Sequence, residues 1–274
     1  CGSDEILLFV ALAFCQDGDE IIHAQHGFEM YSIITRIVGA TSKLITENAN
    51  YGIDIKSILA EVTPSTKIIY IANPNNPTGT YLSRADIVDL LNKLPKHIVV
   101  VIDGAYAEYV LKDDYDDGFS LTEEFENIVL TRTFSKVYGL AGLRIGWCFS
   151  SEKVSIILNK VKGPFNIQTI TQELAMLALE DKTYLKEVVD NNHKVKQWFE
   201  DELKKIHIES RQSEGNFSFI ETSEKKAKEI STHLTKDGIL VRQLESYGLP
   251  NCLRITIGTK KEMMATLKSL KKIV

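Results

Sequence analysis

Apolar and polar positions fall into alternating blocks from the start of the chain. The run ILLFVALAFC (Ile6–Cys15) reads as a first helix. EIIHAQ and TSKLITE then read as strands, with the amphipathic stretch FEMYSIITRIVG between them. DIKSILAEV follows as a helix with apolar positions at Ile55, Ile58 and Leu59. KIIYIAN and HIVVVIDG are β-branched runs of the kind found in strands buried on both faces. SRADIVDLLNKL lies between them and predicts a helix with Ser83 as its N-cap. NIVLTRTFSK predicts a further buried strand. Strand–helix–strand alternation of this kind predicts an α/β fold with a mostly parallel sheet covered on both faces.

The texture changes after Trp147. SEKVSIILNKV predicts a helix, and one long helical stretch is predicted from Ile167 to about Ile206. HIESRQ, NFSFIET, ILVRQL and CLRITIG then read as strands, with EKKAKEISTHL as a helix and another helix at the end. The pattern predicts a large domain over 1–163 and a smaller α+β domain over 164–274, divided near Gly163–Phe165.

Composition narrows the function classes. The chain has 274 residues, 44% hydrophobic and 25% charged, with a net charge of −5. Basic and acidic residues are interspersed, so no nucleic-acid footprint is visible. The longest apolar run is too short to span a bilayer. Cys1, Cys15, Cys148 and Cys252 have neither metal-ligand nor disulfide spacing, which predicts no metal and a reduced, cytoplasmic setting. The chain opens on CGSDE without Met, which predicts that a further N-terminal segment is missing.

Ligands of such sheets bind beyond the carboxyl ends of the strands. Those ends read NPNNPTG (Asn73–Gly79), DGAY (Asp103–Tyr106) and TRTFSK (Thr131–Lys136). Any one alone could be turn chemistry; an amide, a carboxylate and an amine on one edge point to a site. Asp103 could cap a helix, pair with Lys136 or hold a ligand cation. Lys136 could be a surface charge, half of an ion pair, or a Schiff-base former whose neutral amine burial would favour. Arg144, with Thr133 and Ser135, suits a phosphate; an internal salt bridge is the other reading. The start of the first helix at Gly2 and Ser3 could bind a phosphate through backbone N–H groups, or Ser3 could cap it.

Together NPNNPTG, DGAY, TRTFSKVYGLAGLRIG and CLRITIG, in this order, resemble the fold-type-I pyridoxal-phosphate aminotransferases. The nearest match is the histidinol-phosphate aminotransferase family. The stretches DGAYAEYV and YGLPNCLRITIGT look most like its α-proteobacterial branch. The resemblance covers nearly the whole chain. It implies that Lys136 carries the cofactor pyridoxal 5′-phosphate and shuttles the proton. It implies that Asp103 holds the ring nitrogen, and that Tyr106 and Asn76 hydrogen-bond the ring oxygen. The cofactor phosphate would lie at Gly2, Ser3, Asp4, Thr133, Ser135 and Arg144. Phe28 would stack on the ring where many members have Tyr; Phe28 and Tyr31 could equally be core residues. Arg254 would take the substrate carboxylate and Arg242 the substrate phosphate, with Asn216 nearby. A salt bridge is the other reading of Arg242.

His26 reads as a structural histidine, and Arg132 has no assigned role. Members of the family carry an N-terminal arm before GSDE, including a tyrosine that reaches the partner's cofactor phosphate in a homodimer. The implied reaction moves an amino group between histidinol phosphate and 2-oxoglutarate, small molecules both. Aromatic aminotransferase, threonine-phosphate decarboxylase and a non-catalytic sensing module are the alternatives.

Overall fold

A computed structural model describes residues 1–273. The chain opens with α1 (Gly2–Phe14), followed by β1 (Glu20–Ala24), α2 (Met30–Ile37), β2 (Thr41–Ile45), α3 (Ile55–Glu61) and β3 (Thr66–Ala72). Next come α4 (Arg84–Lys93), β4 (Val99–Asp103), α5 (Phe119–Glu124), β5 (Ile128–Thr133), β6 (Gly146–Ser150) and α6 (Glu152–Val161). The first sheet has six strands in the order β2-β1-β3-β4-β5-β6. Five run parallel, and β6 pairs antiparallel with β5 at the edge. The predicted α/β architecture with a mostly parallel sheet is therefore what the chain adopts.

Alternation along the strands divides the core in two. Ile69, Ile71, Val100, Ile102, Ile128 and Leu130 face α3, α4 and α5. Ile68, Tyr70, Val99, Val101 and Val129 face α1, α2 and α6. Strands buried on both faces carry no polar alternation, which is why they stand out as β-branched runs. Ser83 caps α4 through a capping box with Asp86, as its sequence position predicts.

Two elements escaped the sequence reading. β6 (GWCFS) is a short edge strand beginning on glycine, and α5 has only six residues. The single long helix expected from Ile167 to Ile206 is two helices, α7 (Thr169–Glu180) and α8 (Lys182–Lys205). The break falls at Asp181, whose carboxylate accepts from the Tyr184 backbone N–H and starts the second helix afresh.

The rest of the chain forms β7 (Ser210–Arg211), β8 (Phe217–Glu221), α9 (Glu224–Lys236), β9 (Arg242–Leu244), β10 (Leu249–Thr256) and α10 (Lys260–Leu270). Its four strands make an antiparallel sheet in the order β7-β8-β10-β9. Phe199, Leu203, Ile230, Leu253 and Leu267 pack into one core beneath it. Ties run back to the first sheet. The Tyr51 hydroxyl donates to Glu221 Oε1 at 2.8 Å. His26 Nδ1 meets the Tyr247 carbonyl at 2.7 Å, and the Glu214 N–H donates to the Gly79 carbonyl at 2.8 Å. His26 is thus a bridging residue.

Leu90 is fully buried in the α4 layer. Leu90→Ala is expected to cost about 3 kcal/mol, against about 1 kcal/mol for Ser83→Ala, measured as shifts in urea unfolding. His23 is also buried, and burial lowers its pKa from the ordinary 6.5. The unfolded chain then binds the proton more readily. Stability is full above the ordinary histidine value and falls as pH drops through the lowered one. A plot of melting temperature against pH is expected to slope less steeply below about pH 6.5 in His23→Gln than in the parent.

Candidate active site

Beyond the carboxyl ends of β3, β4 and β5 lies a cavity of about 200 Å³. Its lining includes Ser3, Asp4, Phe28, Asn76, Asp103, Tyr106, Thr133, Ser135, Lys136 and Arg144. The parallel register explains the convergence. Asp103 ends β4 and lies beside Ala72 of β3 and Thr131 of β5. Thr133 follows two residues on, so its side chain falls on the same face.

Asp103 is 4% exposed. Its Oδ2 accepts from the Tyr31 hydroxyl at 2.9 Å and its Oδ1 from the Thr131 hydroxyl at 2.9 Å. Burial pushes its pKa up, while these two hydrogen bonds and nearby Arg132 pull it down. Lys136 does not supply the countercharge: among the described residues it forms no ion pair within 4 Å. The ion-pair reading, one of those open for Asp103 and Lys136, is therefore not what the described residues form. The Lys136 ammonium nitrogen lies 5.3 Å from the centre of the Tyr106 ring instead. Tyr106 itself is buried and packs edge-on against Phe217.

At the other end, Arg144 sits in the left-handed conformation with φ 50°. Its Nη1 reaches Ser135 Oγ at 3.3 Å and the Ala141 carbonyl at 2.9 Å. Its Nη2 pairs with Asp4 at 3.2 Å. The salt-bridge reading of Arg144 thus holds on one nitrogen, while the other stands beside Ser135. Thr133 Oγ1 accepts from the Ser135 N–H at 3.1 Å.

The start of α1 differs from expectation. Ser3 is not a helix cap: Cys1 holds that position, with no side-chain cap bond. Gly2 does not line the cavity, and its N–H is spent on the Arg144 carbonyl at 2.8 Å. Glycine is nonetheless required there. Its φ is +74°, and a Cβ would lie 2.7 Å from Arg144 Nη2.

The arginines of the second sheet stand outside the cavity lining. Arg254 Nη1 donates to Asn76 Oδ1, which joins β10 to the cavity rim. Its Nε is buried without a partner among the described residues. Arg242 lies directly across the β9–β10 ladder from Arg254. It is half exposed and pairs with Glu29 at 3.3 Å. Asn216 meets the Tyr109 phenol rather than the cavity. Arg132 is buried, donates to the Thr131 and Asp117 carbonyls, and holds structure rather than ligand.

Two residues of the site were missed. Thr131 could have been found as the strand neighbour of Asp103. Tyr31 is three residues from Phe28, but its reach to Asp103 depends on how α2 packs.

The cavity's chemistry suits pyridoxal phosphate. Its lining brings together a carboxylate suited to a ring nitrogen, a guanidinium with two hydroxyls suited to a phosphate, and a primary amine. The close approach of the Gly2 backbone to Arg144 gives that phosphate end its shape.

Comparison with known proteins agrees. The family model described as "Aminotransferase class I and II" matches residues 1–270. Histidinol-phosphate aminotransferase of Rhodopseudomonas palustris is 41% identical over all of this chain, which covers 75% of that protein. Its counterpart from Nitrobacter winogradskyi is 42% identical over 95% of this chain, covering 72% of the relative. The crystal structure of histidinol-phosphate aminotransferase from Sinorhizobium meliloti in complex with pyridoxal 5′-phosphate superposes with a TM-score of 0.91 at 26% identity, over 100% of this chain and 76% of that one. The matched family, the sheet order and the cavity at the strand ends agree, and this chain belongs to the class I and II aminotransferases.

Proposed function

We propose that the chain catalyses the pyridoxal-phosphate-dependent exchange of an amino group between histidinol phosphate and 2-oxoglutarate, yielding imidazole-acetol phosphate and glutamate. The convergence of Lys136, Asp103 and Arg144 on one cavity carries this reading. The roughly 40% identity to histidinol-phosphate aminotransferases supports the substrate.

When bound, pyridoxal phosphate supplies an electron-withdrawing ring that takes up the electron pair left at the substrate Cα. The chain's residues do the rest. Lys136 provides the amine that holds the cofactor and the base that moves the Cα proton. Asp103 would accept from the protonated ring nitrogen, and a buried carboxylate does so more strongly than one in water. Tyr106 and Asn76 would donate to the ring oxygen, and Phe28 would pack beside the ring. Thr133, Ser135 and Arg144 would bind the phosphate, with Ser3, Asp4 and the Gly2 backbone shaping that part of the cavity.

Substrate recognition belongs to the second sheet. Arg254 has an unpartnered buried Nε and an Nη1 already fixed on Asn76. It is suited to a carboxylate or phosphate reaching the cavity rim. Arg242 is its cross-strand neighbour and meets the second anionic group once Glu29 lets go; Asn216 borders the same region. Homodimerisation and a cytoplasmic setting complete the proposal. Ile170, Leu174 and Leu177 give α7 exposed apolar surface available for a partner copy. No described helix is long and apolar enough to cross a membrane.

Lys136→Ala is expected to remove the visible absorption of the bound cofactor and lower turnover by more than about a thousandfold. An unchanged spectrum would overturn the assignment of Lys136. Arg144→Gln is expected to weaken cofactor retention about tenfold, read by equilibrium dialysis. Arg254→Ala is expected to lower kcat/KM for glutamate about a hundredfold. Histidinol phosphate is expected to convert the bound cofactor faster than phenylalanine or threonine phosphate. Either of those leading would instead identify the aromatic aminotransferase or the decarboxylase.

A further inference from the structure

The pocket side of Asp103 faces the cavity, but its hydrogen bonds come from elsewhere. Tyr31 and Thr131 each take one carboxylate oxygen at 2.9 Å, and neither lines the cavity. Tyr31 is 1% exposed and held from several directions. Its ring stacks on Tyr70 with centroids 4.8 Å apart and planes 4° from parallel. Phe28 meets it in a T-shape with centroids 5.8 Å apart, and the His23 ring lies 5.9 Å away centroid to centroid. Tyr70 is pinned in turn, its hydroxyl donating to the Leu7 carbonyl at 2.8 Å. The phenol therefore has little freedom to leave Asp103.

We infer that Tyr31 and Thr131 form a two-sided clamp that fixes the plane of the Asp103 carboxylate and sets how strongly it holds a protonated ring nitrogen in the cavity. The inference rests on the reading of Asp103 given above. Both are positioning residues, since they act through Asp103 and touch nothing in the cavity. A carboxylate accepts about four hydrogen bonds, so two donors behind it leave lone pairs free toward the pocket.

The charge balance around Asp103 explains why two donors matter. Burial and Asp4 of α1 favour its neutral form, whereas Tyr31 of α2, Thr131 of β5 and Arg132 of β5 favour the carboxylate. Tyr31 stays protonated, because burial and Asp103 hold its pKa well above 10. It can only donate. Loss of either donor tilts Asp103 toward the neutral acid, which cannot pair with a ring cation.

The test loads the holoenzyme with pyridoxal phosphate labelled with 15N in the ring. The nitrogen chemical shift is followed against pH, alongside kcat and KM. Tyr31→Phe and Thr131→Val are each expected to lower the midpoint of ring-nitrogen protonation by about one pH unit and kcat about tenfold. KM is expected to stay within about threefold. Thr131→Ser keeps the donor and should restore the parent titration. If Tyr31→Phe does not fold, the Val and Ser variants at Thr131 decide the matter between them. Parent-like titration and kcat in Tyr31→Phe and Thr131→Val, while Asp103→Asn loses nitrogen protonation, would overturn the clamp alone. Parent-like titration in Asp103→Asn would instead remove the reading of Asp103 and the clamp with it.

Discussion

A carboxylate buried at the end of a central strand is costly to fold around unless donors meet it. Asp103 is such a group, and much of the large sheet's edge is arranged to accommodate it. The parallel β4–β5 register brings the Thr131 hydroxyl alongside. The packing of α2 against β3 brings the Tyr31 phenol to the other oxygen. Arg132 adds positive charge nearby while its own hydrogen bonds go to backbone carbonyls. Lys136 is left out of this arrangement. An amine held protonated by a salt bridge to Asp103 would be a poor base, so its separation from the carboxylate serves the chemistry proposed for it.

The opposite end of the cavity is held by backbone rather than by core packing. Arg144 is turned back by its left-handed conformation, and the start of α1 closes over it through the Gly2 N–H. Asp4 and Ser135 share the guanidinium. On the proposed function, a phosphate binding there would exchange one anionic partner for another, which would limit the cost of desolvating the arginine.

The second sheet reaches the site through few but directed links. Arg254 to Asn76 ties the antiparallel sheet to the loop after β3. Glu214 to Gly79 ties a neighbouring loop to the same segment.

The order of strands and helices was legible in the sequence, because buried parallel strands announce themselves as β-branched runs and Ser83 announces a capped helix. The convergence of Asn76, Asp103 and Lys136 was legible too, since all three stand at carboxyl ends of such strands. Two elements were not: β6 opens on glycine and carries no β-branched residue, α5 has only six residues, and the break at Asp181 lies in an otherwise continuous helical pattern. Tertiary structure alone decided that Lys136 is not paired with Asp103, that Gly2 spends its N–H on Arg144, and that Tyr31 and Thr131 hold the carboxylate. These depend on register across strands and on the angle at which a helix packs, distances set between residues 28 to 142 positions apart. No local pattern of polar and apolar residues encodes them.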